Sequence, residues 1–81
     1  MEANQITRRF FVTFDSLIES GKIEGKQTGF CERHGINRTY FGQARTKQWI
    51  QLRPDTIAAL CTEFPTVNLE YIMLGTGPVF K

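Results

Sequence analysis

Eighty-one residues with 41% hydrophobic positions, 22% charged positions and a formal net charge of +2 describe one globular domain, with no room beside it for a separate catalytic domain. No run approaches the roughly 18 apolar residues of a membrane span, and the polar stretch from Met1 to Arg9 is not followed by the apolar segment of a secretion signal. A cytoplasmic protein without a membrane partner is therefore expected, its Cys31 and Cys61 free thiols in apolar stretches, with no CxxC or HxxxH spacing to hold a metal.

The first element is announced by Ile6, Phe10, Phe14, Leu17 and Ile18, whose three- and four-residue spacing predicts an amphipathic helix from about Asn4 to Ser20, stopped by Gly21. A second, short helix is predicted from Lys26 to His34, turning Phe30, Cys31 and the stem of Gln27 inward, and ending at Gly35. Asn37 is a good N-cap for a third helix beginning at Arg38 and running to Arg45 or a little beyond. Tyr40, Phe41 and Ala44 fall on its inner side, and Arg38, Thr39, Gly42 and Gln43 on the more exposed one. The turn between these two helices is only about three residues long, by the helix ends just given.

A loop with Lys47, Trp49 and Ile50 follows. Pro54 at a first-turn position, with Asp55 beside it, opens a fourth helix whose inward residues are Ile57, Leu60, Cys61 and Phe64, and Pro65 ends it. Asn68 caps a fifth helix with Leu69, Ile72 and Met73 or Leu74 as its apolar face, and Gly75, Gly77 and Pro78 stop it. No alternating strand pattern, repeat or low-complexity segment is visible. The reading is all-α, five helices around one core.

Charge is informative through its distribution. From Arg33 to Pro54 the charged residues are Arg33, Arg38, Arg45, Lys47 and Arg53, with no Asp or Glu among them, whereas the signs are mixed elsewhere. Such a stretch suits a polyanionic partner, or is a solvated basic face. Enzyme classes find no support, because there is no Ser/His/Asp or Cys/His arrangement with the right spacing, no P-loop and no GxGxxG. Neither a cofactor nor a small-molecule substrate is implied.

Between Gln27 and Thr46 the sequence resembles the helix-turn-helix of the lambda repressor and Cro family. Cys31 stands where the motif needs a small residue, Gly35 where the turn needs positive φ, and Phe30, Ile36, Phe41 and Ala44 where apolar residues bury the pair. His34 departs from the usual apolar residue, and Cys31 and Phe41 are milder departures. The C-terminal stretch from Phe64 to Phe80 is similar to the ending "FPxVNxxWLLxGxGPMF" of a subgroup of bacterial Cro-like proteins, with Tyr71 in the aromatic position and Val79 in place of Met. The resemblance spans about Phe10 to Phe80. It implies a five-helix lambda repressor-like domain that binds double-stranded DNA, a repressor-like transcriptional regulator acting as a homodimer.

Carried over residue by residue, the resemblance nominates Arg38, Thr39 and Gln43 for reading base edges. It nominates Gln27 for bracing a phosphate, and Arg45, Lys47 and Arg53 for phosphate contacts that position the domain. The Tyr40 hydroxyl is a further phosphate candidate, with partial burial beside Phe41 the alternative. Trp49 either stacks on a sugar or plugs its loop onto the core, and the plug is the expectation. His34 is expected to be structural. The competing reading is a protein-interaction module of the same fold, an antitoxin or phage-type modulator without base reading, which Gly42 inside the third helix favours.

Overall fold

The computed structural model describes residues 2–81, and among them the chain forms five helices: α1 (Gln5–Glu19), α2 (Lys26–His34), α3 (Arg38–Thr46), α4 (Pro54–Glu63) and α5 (Leu69–Leu74). Each boundary has a local cause. The side chain of Asn4 accepts from the Thr7 N–H at 3.2 Å and opens α1, as Asn37 opens α3 and Asn68 opens α5, while Pro54 opens α4. At the end of α1, the N–H groups of Gly21 and Lys22 return to the carbonyls of Ile18 and Leu17, both at 3.0 Å, which satisfies two carbonyls the helix cannot reach.

The core is an aromatic cluster. Phe10, Phe11 and Phe14 of α1 meet Phe30 of α2 and Phe41 of α3, all five at most 2% exposed. Their contacts are mainly edge to face, with ring centroids 5.2 Å apart for Phe11 and Phe41 and for Phe14 and Phe30. Pairs in this arrangement each add about 0.5 to 1.5 kcal/mol beyond area burial. Leu17, Leu52, Leu60, Val67 and Ile72 complete the interior.

Two devices fix the remaining elements to α1. The buried Thr7 hydroxyl donates to the Ile50 carbonyl at 2.7 Å and accepts the Leu52 N–H at 3.2 Å, pinning the loop between α3 and α4. Arg9 donates from Nε to the Ile72 carbonyl at 2.9 Å and from Nη2 to that of Met73 at 3.3 Å, placing a cation at the C-terminal end of α5. The tail returns beside Val67, which forms an isolated antiparallel bridge with Phe80. Asn68 joins the two, capping α5 with its oxygen while its amide nitrogen donates to the Pro78 carbonyl at 2.8 Å.

Two expectations, for Trp49 and Cys61, are corrected, and the apolar face expected of α5 is left largely uncovered. Trp49 does not plug the core: its indole is 47% exposed, because the neighbouring Ile50 and Leu52 are the residues that turn inward. In α5 only Ile72 is buried, and Leu69, Met73 and Leu74 remain 46%, 41% and 71% exposed. Cys61 is half-buried rather than interior, while Cys31 is fully buried. Both thiols are free, and burial pushes both pKa values up, which favours the protonated thiol. No helix among the described residues is long and apolar enough to cross a membrane.

Candidate nucleic-acid interface

The pair α2 and α3 is set by its turn. Gly35 takes φ +64°, the left-handed conformation that costs a Cβ-bearing residue, and the Ile36 N–H reaches back to the Cys31 carbonyl at 2.9 Å. Two residues later the Asn37 side chain accepts the Tyr40 N–H at 3.0 Å. With both helix ends hydrogen-bonded, the turn has little freedom. Cys31 and Ala44 are both buried to 0% exposure.

His34, at the C-terminal end of α2, is satisfied across the domain. Its Nε2 lies 2.7 Å from Glu63 Oε1, and because a carboxylate only accepts, Nε2 carries the proton. Its ring packs on Phe30 at 4.8 Å. Glu63 also receives Arg33 through Nε at 3.0 Å and Nη2 at 2.8 Å, so one carboxylate at the end of α4 holds two residues at the end of α2. The Arg33 hydrogen bonds, aided by His34, hold the Glu63 carboxyl below its usual range against the opposing effect of burial.

The outward face of α3 presents Arg38, Thr39 and Gln43, all exposed. Thr39 and Gln43 also line an open cleft of about 730 Å³ between α3 and the start of α4, together with Asn37, Tyr40, Arg53 and Asp55. The Tyr40 hydroxyl accepts the Arg53 N–H at 2.7 Å, which leaves its own proton to donate. Lys47 stands at the other end of α3 from Arg38, about 13 Å away at the helical rise of 1.5 Å per residue.

The basic stretch is thereby divided. Arg38 and Lys47 have no ion-pair partner among the described residues, and the Arg53 pairing with Asp55, at 3.5 Å and 71% exposed on both sides, is worth little. Arg33 is committed to Glu63 and, through Nη1, to the Glu24 carbonyl at 2.6 Å. Arg45 is committed as well. Its Nη1 meets Asp15 Oδ1 at 2.7 Å, its Nε donates to Gln27 Oε1 at 2.7 Å, and its guanidinium carbon sits 4.9 Å from the centre of the Phe11 ring. Asp15 and Glu63 carry no signal in the sequence that would have paired them with these arginines, since each lies about thirty residues from its partner.

Comparison with models of known protein families, with curated proteins and with solved structures finds no match.

Proposed function

We propose that this protein is a sequence-specific binder of double-stranded DNA with a lambda repressor-like helix-turn-helix, formed by α2 and α3, and that it regulates transcription. The observation that carries the reading is the row of exposed polar side chains on α3, Arg38, Thr39 and Gln43, behind a rigid three-residue turn and flanked by the uncommitted cations Lys47 and Arg53. A helix presented in this way enters the major groove with its N-terminal residues on base edges.

In that pose Arg38 donates two parallel hydrogen bonds to guanine O6 and N7, and Gln43 pairs with adenine N6 and N7, each worth about 1 to 3 kcal/mol of discrimination. Thr39 contacts a base edge or a thymine methyl. Lys47, Arg53 and the Tyr40 hydroxyl take phosphate oxygens and fix the register without reading sequence. The domain acts as a homodimer, since so small a module buries little surface on one half-site. Leu69 and Met73, beside an apolar groove of about 380 Å³ shared with Ile6, Leu52 and Ile57, and the adjacent Leu74, are the surface left for a second copy.

Selection from a random duplex pool, followed by anisotropy titration of the enriched sequence against a scrambled one, tests the reading. Enrichment of a sequence with two half-sites about one helical turn apart is the expected result. The internal commitment of Arg33 and Arg45 lowers the free positive charge, and favours as second reading a protein-interaction module of the same fold, for which no duplex would be enriched.

A further inference from the structure

We infer that Arg45 is a positioning residue for Gln27 rather than a phosphate contact: it orients the Gln27 amide so that Nε2 is presented above Gly42 as a donor to a phosphate oxygen of the bound duplex. This rests on the DNA-binding reading above. Arginine has donors and no acceptor, so the atom of Gln27 that meets Arg45 Nε at 2.7 Å must be the amide oxygen. The amide nitrogen is then forced to the other side. It forms no hydrogen bond among the described residues, and it lies 3.9 Å from the place a Cβ of residue 42 would occupy, the nearest heavy atom outside the glycine's own stretch of helix.

Arg45 is well suited to hold this orientation because it is itself held. Asp15 fixes Nη1, and the rings of Phe11 and Phe14 lie 4.9 and 5.6 Å from the guanidinium carbon, so α1, α2 and α3 meet at one side chain. Glycine at 42 keeps the Gln27 amide nitrogen clear of side-chain contact from α3, since even a Cβ there would lie within van der Waals range of Nε2. Gln27 lies in the first turn of α2, where the N-cap Gly25 supplies no side-chain acceptor, and that end of a helix favours an anion over a neutral base edge.

Gln27→Glu is the first test, because the carboxylate has the shape of the amide and still accepts from Arg45. The expected outcome is an unchanged or raised melting temperature together with duplex affinity at least about tenfold weaker, as a donor is replaced by a like charge beside phosphate. Unaltered affinity for this variant would overturn the inference while leaving the DNA-binding reading intact. Arg45→Met, which keeps a stem against the phenylalanines, should weaken binding in the native background but not when combined with Gln27→Ala, and should leave the salt dependence unchanged. Additive losses, with a salt slope reduced by about 0.9, would make Arg45 a direct phosphate contact and overturn the inference. Should Arg45→Met fail to fold, Arg45→Lys in the same cycle retains the charge and the Asp15 pairing but offers no second donor aligned on Gln27, and the same coupled loss is expected. Failure of the native protein to bind any duplex at low salt would remove the underlying reading and this inference with it.

Discussion

The hydroxyl of Tyr40 accepts the backbone N–H of Arg53 at 2.7 Å, which ties the first turn of α3 to the N-cap residue of α4. Both bonded residues line the same cleft as Thr39 and Gln43. Tyr40→Phe removes the tie without changing the ring. Because water can replace the lost acceptor at this exposed site, the expected cost in stability is about 0.5 to 1 kcal/mol by denaturant titration, with a larger proportional loss of duplex affinity because the phosphate donor goes too.

Two helical glycines should respond to alanine with opposite signs. At Gly42 a Cβ would meet only Gln27 Nε2, at 3.9 Å, so Gly42→Ala should stabilise by about 0.5 to 1 kcal/mol. A Cβ at Gly29 would collide with the Glu24 carbonyl oxygen, which is fixed in place by Arg33, so Gly29→Ala should destabilise by about 1 to 3 kcal/mol. Thermal melts of the two variants decide this. Gly42→Ala should also bind DNA more weakly while melting higher, since the bare backbone is useful where a phosphate or base approaches.

Acid should loosen the link between α2 and α4. The Glu63 carboxyl is held low in the folded state, chiefly by its hydrogen bonds from Arg33, so its contribution to stability is complete above the ordinary carboxylate range near about 4.3 and is lost as pH falls through the folded value. Glu63→Gln should melt lower than the native protein at neutral pH, and the gap between them should close in acid. Melting curves at intervals between pH 7 and pH 3 measure it.

Duplex binding should be salt-sensitive to a degree fixed by the uncommitted cations. With Lys47 and Arg53 free of strong pairing and placed on phosphates while Arg38 reads a base, about two phosphates per protomer are neutralised, and the slope of log affinity against log salt should be about −1.8 per protomer. Counting all five basic residues of the stretch would give about −4.5. Titrations at several salt concentrations separate the two values, and a flat response favours the protein-interaction reading.

Self-association should depend on α5. Met73, at 41% exposure and lining the apolar groove, can accept a charge without disturbing the monomer's core, so Met73→Glu should leave the melting profile of the monomer within about 0.5 kcal/mol while abolishing the dimer in sedimentation. A native protein that sediments as a monomer both free and on DNA would remove the homodimer from the proposal.

The helices were legible in the sequence because their boundaries are local matters. Asn37 and Asn68 cap the amides two or three residues on, Pro54 needs only its own ring, and the Gly35 turn is complete within a few residues. The exposure of Arg38, Thr39 and Gln43 follows equally from the period of α3. Illegible were the features set by chain segments far apart: that Asp15 takes Arg45, that Glu63 takes Arg33, and that Thr7 draws the Ile50 and Leu52 backbone inward and leaves Trp49 outside. A free cation and a guanidinium already committed to a carboxylate have the same letter in a sequence.

Trp49, the chain's single tryptophan, sits between two anchored carbonyls, that of Gln48 accepting the Asn4 N–H at 2.7 Å and that of Ile50 accepting the Thr7 hydroxyl at 2.7 Å. A half-exposed indole on so firm a pedestal is an intrinsic fluorophore mounted on the loop that follows α3. Its emission reports the surroundings of that loop, so occupancy of this face can be followed in the unlabelled protein, and access of a neutral quencher to the indole will separate a partner that covers the loop from one that docks on α5.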